Sequence, residues 1–349
     1  MAEILSRVMT GLATVFVART IGVRDYGLVG FVAAVLAYLV EFIRFGTDPI
    51  IVRELARTGT EHEAEQSKFR TVAVAARTVF VLPAIAILVI LSCGTSTTPL
   101  RYLYVAGIVQ LLGTLFPIDL FLQSEEKFKF LAAFKIFSNA VNLTLILILV
   151  HSPSTSWVVP LASGFGLLVS EAIFSGSMSG YFAIPSVDEL LRFGERLLRQ
   201  SLPLLGSMIL LLMAGQFTVI LVRALSQPDE LGWYTAGYKM YDVCNAFLVP
   251  ASIVIFPALS SSWDTSDSRE RTRIILPGIA VALCMSLLIV GFTLLSAKSL
   301  VPIVFGREFE RSSVFLSILT VALFFRSISM FFSNALVAAG KQSVHLVIT

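Results

Sequence analysis

The sequence predicts an all-α polytopic membrane protein of about ten transmembrane helices in two pseudo-symmetric bundles, and three observations carry that expectation. The first is composition. Of 349 residues, 56% are hydrophobic and only 14% charged, which is more apolar surface than a soluble domain of this size can bury. The second is block length: the apolar residues come in runs of roughly 18 to 25, enough at about 1.5 Å rise per residue to cross a hydrocarbon core of about 30 Å. Short alternating segments of the kind that build a membrane barrel are absent. The third is an internal repeat. TVFVARTIGVRDYGLVGF from Thr14 and TVILVRALSQPDELGWYTA from Thr218 each close an apolar helix on an arginine, Arg19 or Arg223. Each then passes an acid, Asp25 or Glu230, and reopens at Gly27 or Gly232. A repeat of this kind in so apolar a chain points to a transporter of two halves enclosing a path.

Ten spans are expected, over residues 4–22, 27–47, 71–93, 102–122, 130–150, 157–177, 202–222, 233–258, 274–296 and 312–335. The first is read as a retained helix and not a leader. Arg7 and Arg19 interrupt it, no small-residue cleavage site follows, and a second span comes at once. Basic residues fix the expected orientation. Arg53, Arg57, Lys68 and Arg70 follow span 2; Lys127 and Lys129 follow span 4; Arg192, Arg196 and Arg199 follow span 6; Arg269, Arg271 and Arg273 follow span 8. Both termini are therefore expected in the cytoplasm, and the net charge of +3 is mostly this topological signal. No basic stripe suggests nucleic acid as a partner.

The expected domains are an N-terminal lobe over 1–180, a cytoplasmic amphipathic linker over 181–201 and a C-terminal lobe of four helices over 202–349. Within the linker, Ser186 and Glu189 have capping-box spacing, and Pro203 marks the entry to span 7. Every loop is short, which leaves no room for a soluble catalytic domain, so no catalytic residue and no enzyme activity is expected.

Motifs for cofactors fail on their context. GKQS at 340–343 lacks the earlier glycine and preceding strand of a phosphate loop, and GFG at 164–166 lacks the third glycine of a dinucleotide turn. Cys93, Cys244 and Cys284 are far apart and read as packing residues; His62, His151 and His345 are isolated. No metal site and no cofactor is expected.

Ionisable residues inside the spans carry the remaining chemistry, because a charge at mid-bilayer costs about 2.5–3.5 kcal/mol on insertion scales and so seeks a partner or a wet cavity. Span 2 sets Tyr38, Glu41, Arg44 and Asp48 at helical spacing. Span 8 does the same with Thr235, Tyr238, Lys239, Asp242 and Asn245. These are the second helices of the two halves, where repeat symmetry puts matching cavity walls. Arg7 with Thr10 and Thr14 forms a weaker polar face, Arg326 with Ser329 and Ser333 another, and Asp119 and Glu171 add two acids. The plainer alternative is intrahelical neutralisation, Glu41 with Arg44 and Lys239 with Asp242, while Arg7, Arg19 and Arg223 lie near enough to span ends to snorkel. Pro83, Pro117, Pro160, Pro250, Pro257 and Pro277 within spans favour bent helices.

ARTIGVRDYGLVGF followed by FGTDPIIVRELAR at 45–57 resembles the opening of the polysaccharide biosynthesis or O-antigen flippase family, within the multidrug/oligosaccharidyl-lipid/polysaccharide exporter superfamily. Three later stretches match in order: FLQSEEKFKFLAAFKIFSNAVNL from Phe121, PDELGWYTAGYKMYDVCNAFLVPASIVIFPALS from Pro228 and LVPIVFGREFERSSVFLSIL from Leu300. The resemblance implies a MATE-like fold of two six-helix lobes around a cavity that opens to one leaflet at a time. Ten spans leave the second lobe without its last two helices. It further implies ATP-independent movement of a polyprenyl-pyrophosphate-linked oligosaccharide across the cytoplasmic membrane, with membrane lipid and glycan-assembly proteins as partners.

A basic cavity for the anionic headgroup would draw on Arg44, Lys239 and Arg326, with Arg7 and Arg223 further out. Glu41, Asp119 and Asp242 are candidates for binding a coupling H+ or Na+. The alternative on the same fold is a cation-coupled exporter of organic cations, favoured by the acids and opposed by the bases on the same walls. A glycosyltransferase or polymerase would need acids on a sizeable outer loop, and the outer links are short. A non-transporting scaffold is the remaining class.

Overall fold

The computed structural model describes residues 2–58, 63–177, 182–183, 185–263 and 268–338. Positions 211, 214, 247–263, 268–276, 278, 279, 282 and 330–338 are described by their backbone alone. The described residues form eleven α-helices joined by short turns. They are α1 (Ala2–Arg44), α2 (Asp48–Thr58), α3 (Glu63–Gly94), α4 (Thr98–Leu112), α5 (Ile118–Ser124), α6 (Phe128–Leu149), α7 (Val158–Phe174), α8 (Val187–Leu225), α9 (Pro228–Trp263), α10 (Ser268–Phe305) and α11 (Ser312–Ala338). Among the described residues, six helices are long and apolar enough to cross a membrane. The number is seven if the bent pair Val187–Leu210 and Gly215–Leu225 makes one span.

Several expected spans appear in altered form. Spans 1 and 2 are one element: α1 has 43 residues, about 65 Å at 1.5 Å per residue, with a break at Gly22, whose φ of 77° only glycine adopts without strain. Span 4 is broken. α4 ends at Leu112, Pro117 cannot donate a backbone hydrogen bond, and α5 restarts at Ile118. The expected linker and span 7 run together as α8, with Pro203 inside it. The capping box holds, since Ser186 Oγ accepts from the Glu189 amide and Glu189 Oε2 accepts from the Ser186 amide at 2.9 Å. Pro160 does not bend α7, because it stands in the first turn where no intrahelical bond is lost. Pro250, Pro257, His62, His345, Ser333 and the GKQS stretch fall outside the residues or side chains described.

The fold divides into two compact units, 1–232 and 233–349. In the first, α8 packs along α1, so this unit extends beyond the 181–201 seam expected from sequence. Its packing follows the helical period. Leu28, Val32, Leu36, Leu39 and Ile43 of α1 meet Val81, Ala84 and Leu88 of α3 and Leu100, Leu103 and Leu111 of α4. A second core lies under α2 and α5, where Ile50, Ile51 and Leu55 meet Ile118, Phe121 and Leu122.

The GFG stretch serves helix packing. A Cβ on Gly164 would strike the α4 backbone at Val109–Gln110, and one on Gly166 would lie 2.7 Å from Ser138 O of α6. Small residues thus let three backbones approach, as is common between membrane helices. The two repeat glycines also meet, since a Cβ on Gly27 would lie 2.6 Å from Gly232 N. Leu82, Ile90, Leu288, Leu295 and Phe325 remain exposed, as lipid-facing side chains do.

In the second unit, Trp233 Nε1 donates to Glu308 O at 2.9 Å and Arg311 lies over the Trp233 ring at 4.7 Å. Tyr234 meets Phe315 edge-on, and a Cβ on Gly237 would lie 3.1 Å from Ser312 O, so α9 and α11 approach closely at their starts.

Candidate functional site

The α1–α2 corner gathers a group of charges that includes several of the expected site residues. α1 stops at Arg44 because Phe45 and Gly46 adopt positive φ, 49° and 67°, which turns the chain out of the helix. Thr47 closes the turn by donating both its amide, at 2.9 Å, and its hydroxyl, at 2.6 Å, to Arg44 O. Phe45 stacks on Phe80 of α3 at 4.5 Å. A Cβ at Gly46 would collide with the backbone of Ser201–Leu205, so α8 buttresses the corner.

Asp48 therefore does not extend the polar face of span 2, as expected from its spacing. It opens α2, and the corner folds it back on Arg44, where Oδ2 lies 3.7 Å from Nε. Arg44 pairs with this acid and not with Glu41. Its side chain is 42% exposed. On the other side of Asp48 stands Arg77 of α3, 4% exposed, with Nη2 at 2.6 Å from Asp48 Oδ1 and Nη1 donating to Thr114 O at 2.8 Å. Glu41, Asp119 and Glu171 complete the group electrostatically: Glu41 interacts with Arg44, Asp48 and Arg77, while Asp119 interacts with Arg77 and Glu171. Glu171 is buried, and its Oε2 lacks a hydrogen-bond partner among the described residues.

Among the sequence-predicted residues, the fold thus brings together Glu41, Arg44 and Asp119. Arg77 was missed. Its signal is a lone arginine within the apolar run TVAVAARTVFVLPAIAILV, a placement that requires a partner. Arg7 stands apart, exposed near the start of α1 and paired with Glu3 at 3.5 Å. Its neighbour Thr10 donates to Asn139 Oδ1 of α6 at 3.1 Å. Arg223, half-buried in the last turn of α8, lies 6.0 Å from the Phe31 ring centroid and interacts with Tyr104.

In the second unit, Lys239, Asp242 and Arg326 are exposed on α9 and α11, and Tyr238 lies within electrostatic reach of Asp242 and Arg326. No ion pair joins Lys239 to Asp242 among the described residues, so the neutralised-pair alternative is not realised there. Cys93 and Cys284 are exposed, contrary to the packing role expected, while half-buried Cys244 sits 3.6 Å from Thr293 Oγ1. No group of three His, Cys, Asp or Glu residues that could hold a metal occurs among the described residues.

A bundle of apolar helices long enough to span a bilayer, with charges gathered within it, defines a multi-pass helical membrane protein. The chain belongs to the polysaccharide biosynthesis protein family, whose sequence model matches residues 1–263. It is 24% identical over 355 residues to a protein of Escherichia coli strain K12 named "Putative O-antigen transporter", covering 95% of this chain and 83% of that one. Among solved structures it resembles the lipid II flippase MurJ in an inward closed conformation, with a TM-score of 0.76, 15% identity and coverage of 99% of this chain and 77% of that one. It also resembles an inward-facing multidrug resistance MATE family transporter of the MOP superfamily, with a TM-score of 0.72, 14% identity and coverage of 98% and 83%.

Proposed function

We propose that the chain is a flippase that carries a polyprenyl-pyrophosphate-linked oligosaccharide from the inner to the outer leaflet of the cytoplasmic membrane, by alternating access and without hydrolysing ATP. The family match over residues 1–263 carries this reading, and the E. coli relative agrees with it. In this reading ten spans form two lobes with both termini cytoplasmic, α1 supplying one crossing on each side of Gly22.

The physical demand is a wet, cationic path. Sugars and pyrophosphate do not enter hydrocarbon unaided, so basic side chains hold the headgroup while the prenyl tail stays in lipid. Arg44, Lys239 and Arg326 are the proposed cavity residues, with Arg7 and Arg223 in supporting positions. Arginine grips phosphate by forked hydrogen bonds and lysine acts as a point charge. Glu41, Asp119 and Asp242 are proposed to bind the H+ or Na+ whose entry resets the cavity. Glycan-assembly proteins are its proposed partners.

The test is glycan translocation by Arg44→Gln and Lys239→Gln at matched membrane levels. Each is expected to lower flux about tenfold, the loss of one charge-assisted phosphate contact. Unchanged flux in both removes these assignments. The likeness to a multidrug transporter supplies the second reading, organic-cation export, which predicts ethidium efflux from cells lacking their own pumps.

A further inference from the structure

Arg77 is buried, and through Asp48 it is linked to the half-exposed Arg44. Its Nη1 is anchored on Thr114 O at 2.8 Å, after the end of α4, and its Nη2 holds Asp48 Oδ1 at 2.6 Å. Asp48 turns its other oxygen to Arg44 Nε at 3.7 Å. The corner between them is fixed separately by Thr47 on Arg44 O and by Phe45 on Phe80, one helical turn from Arg77. A rigid buried guanidinium, a shared carboxylate and a half-exposed guanidinium therefore form a chain across α3, α2 and α1.

We propose that Arg77 is a positioning residue for anion binding, which fixes Asp48 so that Asp48 holds the Arg44 fork pre-set toward a pyrophosphate group. This rests on the reading in which Arg44 grips the anionic headgroup. The physical reason is the entropy of a long side chain: a free arginine surrenders rotamer freedom when it closes on a phosphate, and a pre-oriented one has already done so. The sign of the Asp48 charge singles out this role. Beside an anion site a carboxylate repels the ligand, so its contribution to binding comes through the geometry it imposes on Arg44.

The experiment measures binding of farnesyl pyrophosphate to the purified full chain in detergent by calorimetry. The variants are R44Q, R77K, D48N and the doubles R44Q/R77K and R44Q/D48N, with a thermal unfolding midpoint for each. R44Q is expected to weaken binding about tenfold. R77K keeps the charge but loses the fork, D48N removes a repelling charge, and each is expected to weaken binding severalfold. In the R44Q background R77K is expected to leave affinity unchanged, and D48N to cause no further loss and at most a slight gain from the removed repulsion.

A role through charge alone gives the opposite pattern, with R77K unchanged and D48N tighter, and that result overturns the proposal. Losses that add to R44Q overturn it as well. Full binding by R44Q overturns the assignment of Arg44 and this inference with it. If D48N does not fold, the R77K pair decides by the same criteria.

Discussion

Glu125→Leu is expected to destabilise the first unit by about 3–5 kcal/mol, because it removes the carboxylate paired with a buried guanidinium. Arg70 of α3 is 1% exposed and paired with Glu125, itself 7% exposed. Gln66 accepts a further hydrogen bond from Arg70 at 3.3 Å, and the Phe121 ring centroid lies 5.8 Å from the guanidinium carbon. Glu125 caps the end of α5 and also receives Lys127 Nζ at 2.9 Å, while Lys127 donates to Ser177 O after α7. The carboxylate thus ties α3 to the α5–α6 turn. Its removal leaves a desolvated guanidinium without the carboxylate that balances its charge. The double variant Arg70→Met/Glu125→Leu removes both charges and is expected to recover most of the loss. Thermal unfolding in detergent, followed by size-exclusion fluorescence, checks both. Equal midpoints for wild type and Glu125→Leu would show that the pair contributes nothing.

The second large effect is expected at Gly232, where the two repeat copies touch. A Cβ there would overlap the carbonyl of Val23, and the atoms it meets are mostly backbone, which does not yield as a flexible side chain would. Gly232→Val is therefore expected to destabilise by at least the 1–3 kcal/mol of ordinary overpacking, approximately, and to lower the yield of folded protein several-fold. Gly11→Val is the control. No atom lies within 4 Å of its added Cβ, so its midpoint should stay close to wild type. Comparable losses in both variants would mean that the effect belongs to valine in these helices and not to the contact.

These two sites differ in how far the sequence exposed them. Gly27 and Gly232 were legible as repeat positions, because spacing and flanking residues survive in both copies, though nothing in a linear pattern says that the copies pack on each other. The helices were legible from apolar block length, and Pro117 signalled a bend in span 4, though not the break between Leu112 and Ile118. Asp48 was misplaced because its spacing from Glu41 and Arg44 continues the helical period, while the stop depends on positive φ at Phe45 and Gly46, and Phe45 is not a residue type that announces it. Arg77 escaped notice because its partners, Asp48 and Thr114, lie 29 and 37 residues away in sequence and come together only through the packing of α3 with α2 and the end of α4. GFG drew attention for a nucleotide motif and proved to be a point of close helix approach.

The proposed transport path is cationic and carries a lipid-linked anion. Its most direct measurement is transbilayer movement of a fluorescent polyprenyl-pyrophosphate-linked oligosaccharide in sealed vesicles containing the full chain and no ATP. Labelled glycan is expected to reach the opposite leaflet faster than in protein-free vesicles, and the excess rate is expected to be largely lost with Arg44→Gln/Lys239→Gln at equal incorporation. Movement no faster than in protein-free vesicles, or a rate unchanged in the double variant, would contradict it.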